Sequence, residues 1–225
     1  GASPELSPFR AAYTLSRAGV SVGTVLRTLR RESNGTYIYE SQSQSTGMMS
    51  VFLKDRILER SHWQVVNDTV RSLSYVYERS GGSKHRNVRL AFDWQARTVT
   101  NDVDGDAWKM PVPDGAMDKL LYQIAVMRDL RAGKEKLVYE VADGGKLKTY
   151  AFDIEGDDYI ETTLGTLKTT RVTRNREDRI TTIWCAVDYQ YLPVQIEQFE
   201  ENHGLLRLTI ESLEGIAPTP SPASP

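Results

Sequence analysis

The feature that most constrains this chain of 225 residues is a two-residue rhythm that recurs along its length. Val88, Leu90, Phe92 and Trp94 alternate with Arg89, Asp93 and Gln95. Leu73, Tyr75 and Tyr77 alternate with Ser74 and Glu78, and Leu206, Leu208 and Ile210 alternate with Arg207, Thr209 and Glu211. Successive side chains of a strand point to opposite faces, so each run reads as a half-buried antiparallel strand with one wet face. Turn chemistry separates the runs: Ser33-Asn34-Gly35, Asn67-Asp68, Gly81-Gly82, Asp104-Gly105, Asp143-Gly144-Gly145, Glu155-Gly156-Asp157 and Asn202-His203-Gly204. Glycine accepts the positive φ of hairpin turns at little steric cost. The pattern predicts an antiparallel meander of about ten strands, with no internal repeat and no shift in composition that marks a domain boundary.

One stretch follows a different period. From Gly115 to Arg131, Met117, Leu120, Leu121, Ile124, Met127 and Leu130 recur at three-and-four spacing, which predicts an amphipathic helix. Asp114 fits its N-cap, Arg128 and Arg131 its last turn, and Gly133 its stop. A lone helix among strands hides its apolar stripe against a sheet. The expected fold is therefore all-β with one main helix: a curved antiparallel sheet forming an open or half barrel, the helix on its concave face. A further helical turn or an apolar lid is expected from Thr46 to Lys54, where Met48, Met49, Val51, Phe52 and Leu53 crowd together.

The composition narrows the class. Hydrophobic residues make up 40% and charged residues 26%, the balance of a globular chain rather than a disordered one. No apolar run approaches the ~18 residues of a spanning helix. A net charge of −2 does not suit bulk binding to nucleic acid. Cys185 is the single cysteine, so no internal disulfide forms, and its place in Ile183-Trp184-Cys185-Ala186-Val187 reads as a buried strand position. Residues 1–8 read as an extension, 9–215 as the half-barrel domain and 216–225 as a Pro/Ser-rich tail. The start, Gly1-Ala2-Ser3-Pro4, lacks an initiator methionine, as expected after removal of a signal peptide or addition of a foreign start.

Three segments carry a resemblance. They are Phe9-Arg10-Ala11-Ala12-Tyr13-Thr14-Leu15-Ser16-Arg17-Ala18-Gly19-Val20-Ser21-Val22-Gly23, Thr162-Thr163-Leu164-Gly165-Thr166-Leu167-Lys168-Thr169, and the run from Thr182-Ile183-Trp184-Cys185 through Tyr191-Leu192-Pro193 to Glu197. Together with Met117-Asp118-Lys119-Leu120 they resemble the exported bacterial family called domain of unknown function 3108, from about Phe9 to Gly215. The motifs are structural: a strand–turn–strand opening, a Leu-Gly-Thr strand and a Trp-to-Leu-Pro hairpin. More loosely, the last is similar to the periplasmic carriers of lipoproteins, whose open barrels hold acyl chains. The resemblance implies a soluble protein of the periplasm or cell envelope and transfers no catalytic residue to this chain.

Chemical motifs are sparse. Asp102-Val103-Asp104-Gly105-Asp106 begins like a calcium loop, but Ala107 stands where glycine is needed and Pro113 where a bidentate glutamate is needed. It reads as a hairpin turn, and no metal or cofactor is expected. The pairs Asp157-Asp158 and Glu200-Glu201 read as turn residues, and neighbours on a strand face opposite ways, so neither suits acid–base work. Arg171, Arg174, Arg176 and Arg179, interrupted by Glu177 and Asp178, read as a solvated hairpin tip, with an anionic docking patch as the alternative. Aromatic residues on strands, among them Tyr37, Tyr39, Trp63, Tyr75, Tyr77 and Trp94, line either a core or a cavity suited to acyl chains or sugar rings.

The functional expectation is a non-enzymatic envelope protein binding an amphipathic or apolar ligand in the half barrel. Its partner is a lipid, lipoprotein or glycan, or an envelope protein, and not nucleic acid. The expected lining is Tyr75, Tyr77, Trp94, Leu120, Leu121 and Ile124, with Met48, Met49 and Phe52 as a rim. Asp118 either faces the barrel mouth or supports the helix N-terminus. An enzyme acting on envelope polysaccharide and a scaffold recruiting a partner by strand addition are the alternatives.

Overall fold

The structure, a computed structural model, describes residues 4–48, 50 and 54–219. Fifteen strands join in one sheet. The first eight run as a meander: β1 (Phe9–Arg17), β2 (Val20–Arg31), β3 (Tyr37–Ser45), β4 (Arg56–Val66), β5 (Thr69–Ser80), β6 (Arg86–Asp93), β7 (Thr98–Val103) and β8 (Asp106–Pro111). After the two-residue β9 (Met117–Asp118) and the helix α1 (Tyr122–Arg131), a second meander follows. It comprises β10 (Leu137–Asp143), β11 (Lys146–Thr162), β12 (Gly165–Arg176), β13 (Arg179–Ala186), β14 (Leu192–Glu200) and β15 (Gly204–Glu214). β1 pairs with β15, so the two meanders meet at the chain's first and last strands and leave β8 and β9 at the two ends of the sheet. Every pairing is antiparallel except β9 with β10. The architecture is the expected one, mostly β with one helix and an open rather than closed sheet.

There are more strands than the turn signals suggest, because several hairpins turn without a glycine–aspartate signature. Ala18 (φ 49°) and Glu177 (φ 47°) adopt left-handed backbone, a conformation rarely assigned to Ala or Glu from sequence. Conversely, Glu155-Gly156-Asp157 is not a turn. β11 runs straight through it, with a register shift between Ile154 and Gly156 and φ +121° at Gly156, the mark of a bulge. The chain reverses instead at Thr163-Leu164, so the Leu-Gly-Thr segment opens with a turn. There the Thr163 hydroxyl donates to the Glu211 carbonyl of β15 at 2.6 Å. Asp157 and Asp158 therefore lie on a strand, while Glu201 lies in a turn.

The helix is also shorter than its periodicity predicts. Asp114 caps nothing; it is exposed and pairs with Arg97 at 3.1 Å. Gly115 takes φ +82°, and Met117 and Asp118 pair with Val141 and Ala142 of β10 before the helix begins at Tyr122. At the other end Arg128 and Arg131 occupy the last turn, and Gly133 (φ +75°) and Lys134 donate to Leu130 and Asp129 carbonyls. Gln123, Ile124, Ala125, Val126, Met127 and Leu130 are all buried, so the helix presents apolar surface on most of its circumference to the inside of the sheet. It belongs to one buried cluster with Tyr13, Tyr39, Trp63, Tyr75, Ile183, Leu192 and Ile210. Each fully buried Leu or Ile contributes about 1.5–3 kcal/mol relative to exposure.

Candidate functional site

Two groups of polar side chains enter this apolar interior around the start of α1. The first centres on Asp118, which is fully buried. Its Oδ2 accepts from the hydroxyls of Ser61 on β4 (2.6 Å) and Ser72 on β5 (2.7 Å). Its Oδ1 accepts from the N–H groups of Leu120 (2.9 Å) and Leu121 (2.8 Å), and its own N–H donates to the Ser72 hydroxyl at 2.8 Å. Because β9 is hydrogen-bonded to β10, Asp118 fastens one end of the sheet to β4 and β5 of the other meander. Burial pushes its carboxyl above the ordinary aspartate value, against the downward pull of the two serines and two backbone donors. Of the two roles expected for Asp118, the hydrogen bonds support the helix start, but through a buried latch rather than an exposed dipole contact.

The second group lies one strand level nearer the hairpin turns Ala18-Gly19 and Glu177-Asp178. In β2, Val25, Arg27 and Leu29 share the inner face, so a guanidinium stands in an apolar row. Arg27 is only 8% exposed; its Nη1 donates to Gln123 Oε1 of α1 at 2.7 Å and its guanidinium lies 5.6 Å from the Tyr13 ring. Its Nε is buried without a partner. Burial acts to lower its pKa, but the oxygens of Tyr39, Tyr13, Glu59 and Tyr122 more than offset this, and the group is held above its ordinary value. Glu59 on β4 accepts from the Tyr75 hydroxyl at 2.6 Å. Burial, reinforced by that carboxylate, pushes the Tyr75 phenol far up, so it stays a neutral donor.

The opposite wall supplies matching chemistry. Tyr122 of α1 meets Tyr150 of β11 edge-on at 5.2 Å and stacks on Phe152 at 5.6 Å. The guanidinium of Arg174 on β12 lies 3.6 Å from the centre of the Tyr150 ring, and its Nη2 is buried without a partner. Lys119 reaches over the Tyr77 ring at 4.6 Å. Burial acts to raise Asp143, but the Tyr150 hydroxyl, Lys148 and Lys119 hold it below the usual aspartate value. The arginine run is thus not one solvated tip: Arg176 and Arg179 flank the turn, while Arg174 turns inward.

Of the residues expected from sequence, Tyr75, Tyr77 and Asp118 converge here. Leu120 (2% exposed), Leu121 and Ile124 (both 0%) are packed into the core beneath. Trp94 sits past β6, stacked on Phe92 at 5.7 Å, with its Nε1 donating to the Ser72 carbonyl at 2.8 Å and Arg71 over its ring. Met48 is exposed in the β3–β4 connection, and Met49 and Phe52 lie outside the described residues. Arg27, Glu59, Tyr122 and Gln123 escaped the sequence reading, and Arg174 entered it only as part of a hairpin tip or anionic docking patch. The signal was present for two of them: Arg27 falls in phase with Val25 and Leu29, and Arg174 with Val172. A charge in an inward phase is the anomaly to look for. Cys185 is fully buried, and burial raises its thiol pKa, as suits an unreactive core residue. Among the described residues no group of three His, Cys, Asp or Glu side chains could hold a metal ion. None of their helices is long and apolar enough to cross a membrane.

The fold and its interior define a class: an open, barrel-like antiparallel sheet wrapped around the helix α1. A solved structure of this class, the beta-barrel-like protein of domain of unknown function DUF1849 from Brucella abortus, is similar with a TM-score of 0.61 at 8% identity, covering 94% of this chain and 98% of that one. The chain itself belongs to the family described as protein of unknown function DUF3108, which matches residues 9–211. The hypothetical protein CT021 from Chlamydia trachomatis is a more distant similarity, with a TM-score of 0.37 at 11% identity, over 98% of this chain and 93% of that one. No curated protein matches this chain.

Proposed function

We propose that this is a non-enzymatic protein of the bacterial periplasm that binds an amphipathic ligand at the open end of its half barrel, against the first turn of α1. The observation that carries the reading is the mixed character of that end. Leu15 and Tyr77 pack only partly buried against the core, and Tyr77 stands opposite Glu59 in the β4–β5 register with Lys119 over its ring. Open apolar faces beside an incompletely bonded buried charge are the combination that an amphipathic ligand needs. The export implied by the family supports the periplasmic setting.

Native mass spectrometry of the protein purified from a bacterial periplasm tests this. A retained amphipathic molecule, lost on delipidation and restored by adding it back, is the expected result. A protein that retains no such molecule, and takes up none of a panel of single-chain amphiphiles, overturns the reading.

A further inference from the structure

We propose that Arg27 and Arg174, brought from opposite walls to the start of α1, form an anion-binding pair that holds the carboxylate or phosphate head of the ligand. This rests on the ligand-binding reading above and names the ligand's chemistry. The two arginines are linked by an unbroken chain of contacts. Arg27 bonds Gln123; the neighbouring Tyr122 meets the Tyr150 ring; and Arg174 stacks on that same ring. Each guanidinium keeps a buried nitrogen without a partner, Nε of Arg27 and Nη2 of Arg174.

Several other arginines of the sheet hold a carboxylate, although Arg71, over the Trp94 ring, and Arg79 also keep a buried Nε without a partner. Arg60 holds Glu40 at 2.8 Å, Arg79 holds Asp55 at 2.7 Å, Arg171 holds Asp158, and Arg207 holds Glu197. Arg27 and Arg174 form no ion pair among the described residues. The carboxylate nearest in effect to Arg27 is Glu59, whose Oε2 accepts from the Tyr75 hydroxyl and which forms no ion pair with Arg27 among the described residues. A buried guanidinium without a carboxylate is costly to the fold unless something else satisfies it. A guanidinium stacked on an aromatic ring keeps its N–H edge free for a planar or tetrahedral anion, which it can bind through two parallel hydrogen bonds. Beside Arg174 an open groove of about 350 Å³ is lined by Arg176 and by Lys148, which is itself paired with Asp143 at 3.3 Å.

Isothermal titration of the full chain with dodecanoate, dodecyl phosphate, dodecanol and inorganic phosphate tests the pair. The expected result is that both anionic amphiphiles bind about tenfold or more tightly than dodecanol, as a charge-assisted hydrogen bond in a buried site requires. In Arg27→Gln and in Arg174→Gln that preference disappears while dodecanol binding is retained. Arg174→Gln changes a half-buried side chain and keeps the test decisive if Arg27→Gln fails to fold. Equal binding of all three amphiphiles overturns the anion pair and leaves the ligand reading standing. Binding of none overturns both. Inorganic phosphate alone, bound with the same arginine dependence and as tightly as dodecyl phosphate, supports the pair but assigns it to a free anion rather than a lipid head.

Discussion

Asp118 and Arg27 are both buried ionisable side chains, the one just before the helix and the other bonded to its first turn, and the interior treats them in opposite ways. Asp118 accepts four hydrogen bonds from two strands and two backbone amides. Arg27 donates one to a neutral amide and keeps a nitrogen unbonded. A polar group satisfied on every side by its own fold is an architectural element, because each of its partners depends on it. A polar group that its own fold leaves unfinished costs stability and gains a partner only from outside. The contrast separates what closes this sheet from what the sheet is open for.

The largest expected effect comes from breaking the latch. Asp118→Ala removes the acceptor for two hydroxyls and two amides in a site with no water access. Loss of stability on the order of 3–5 kcal/mol is expected, read as a fall in the urea midpoint. Asp118→Asn, which keeps one acceptor and lets the serine hydroxyls rotate to accept, recovers most of it. Wild-type-like stability of Asp118→Ala would mean that β9 is held to β5 by packing alone.

A second closure lies at the other end of the sheet. Gly145, with φ +75°, sits against Trp108 of β8, and a Cβ there would stand 2.3 Å from the indole. Gly145→Ala therefore combines a strained backbone with a displaced tryptophan, at a cost on the order of 1–3 kcal/mol. Faster amide exchange confined to β8 and the β10–β11 hairpin is the expected signature. Unchanged exchange in β8 would show that Trp108 does not join the two ends.

The latch also makes a smaller prediction about pH. The folded-state pKa of Asp118 is raised above the unfolded value, chiefly by burial. Between the two values the folded state binds the proton that the unfolded state has lost, so this group's contribution to stability falls as pH rises above about 3.8, the ordinary aspartate value. Wild-type stability minus that of Asp118→Asn should therefore decline as pH rises through that window in paired denaturation curves. A difference that grows with pH would mean that the four donors outweigh burial.

The architecture was legible in the sequence and the site was only partly so, for one reason. Alternation in β5, β6 and β15 names the faces of single strands, and Trp184 to Pro193 marks its hairpin, because these are local patterns. Asp118 was singled out, but its partners Ser61 and Ser72 are small, ordinary strand residues 57 and 46 positions away. Nothing local distinguishes them from Ser41, Ser43 and Ser45 of β3. The extent of α1 was misjudged because Met117 and Leu120 fit helical spacing equally well when one lies on a strand and the other on a tight approach to the helix. Backbone pairing to β10, a long-range contact, decided between them. Arg27 and Arg174 stand as charges in an inward phase, yet only the curvature of the sheet puts both beside Tyr122.

The smallest expected effect is the one that most sharpens the contrast. Arg27→Met keeps the side chain's length and apolar stem while removing the charge and its unbonded nitrogen. Gln123 Oε1 loses a donor, but the Tyr39 hydroxyl, already 3.4 Å away, can close on it. The desolvation cost removed and the hydrogen bond lost oppose each other, so stability without ligand should change by less than about 1 kcal/mol, with an increase as admissible as a decrease. The same exchange at an architectural charge would be severe, as at Asp118. If Arg27→Met lowers the urea midpoint as far as Asp118→Ala does, Arg27 is a strut of the fold, and the distinction between a finished and an unfinished buried charge fails in this interior.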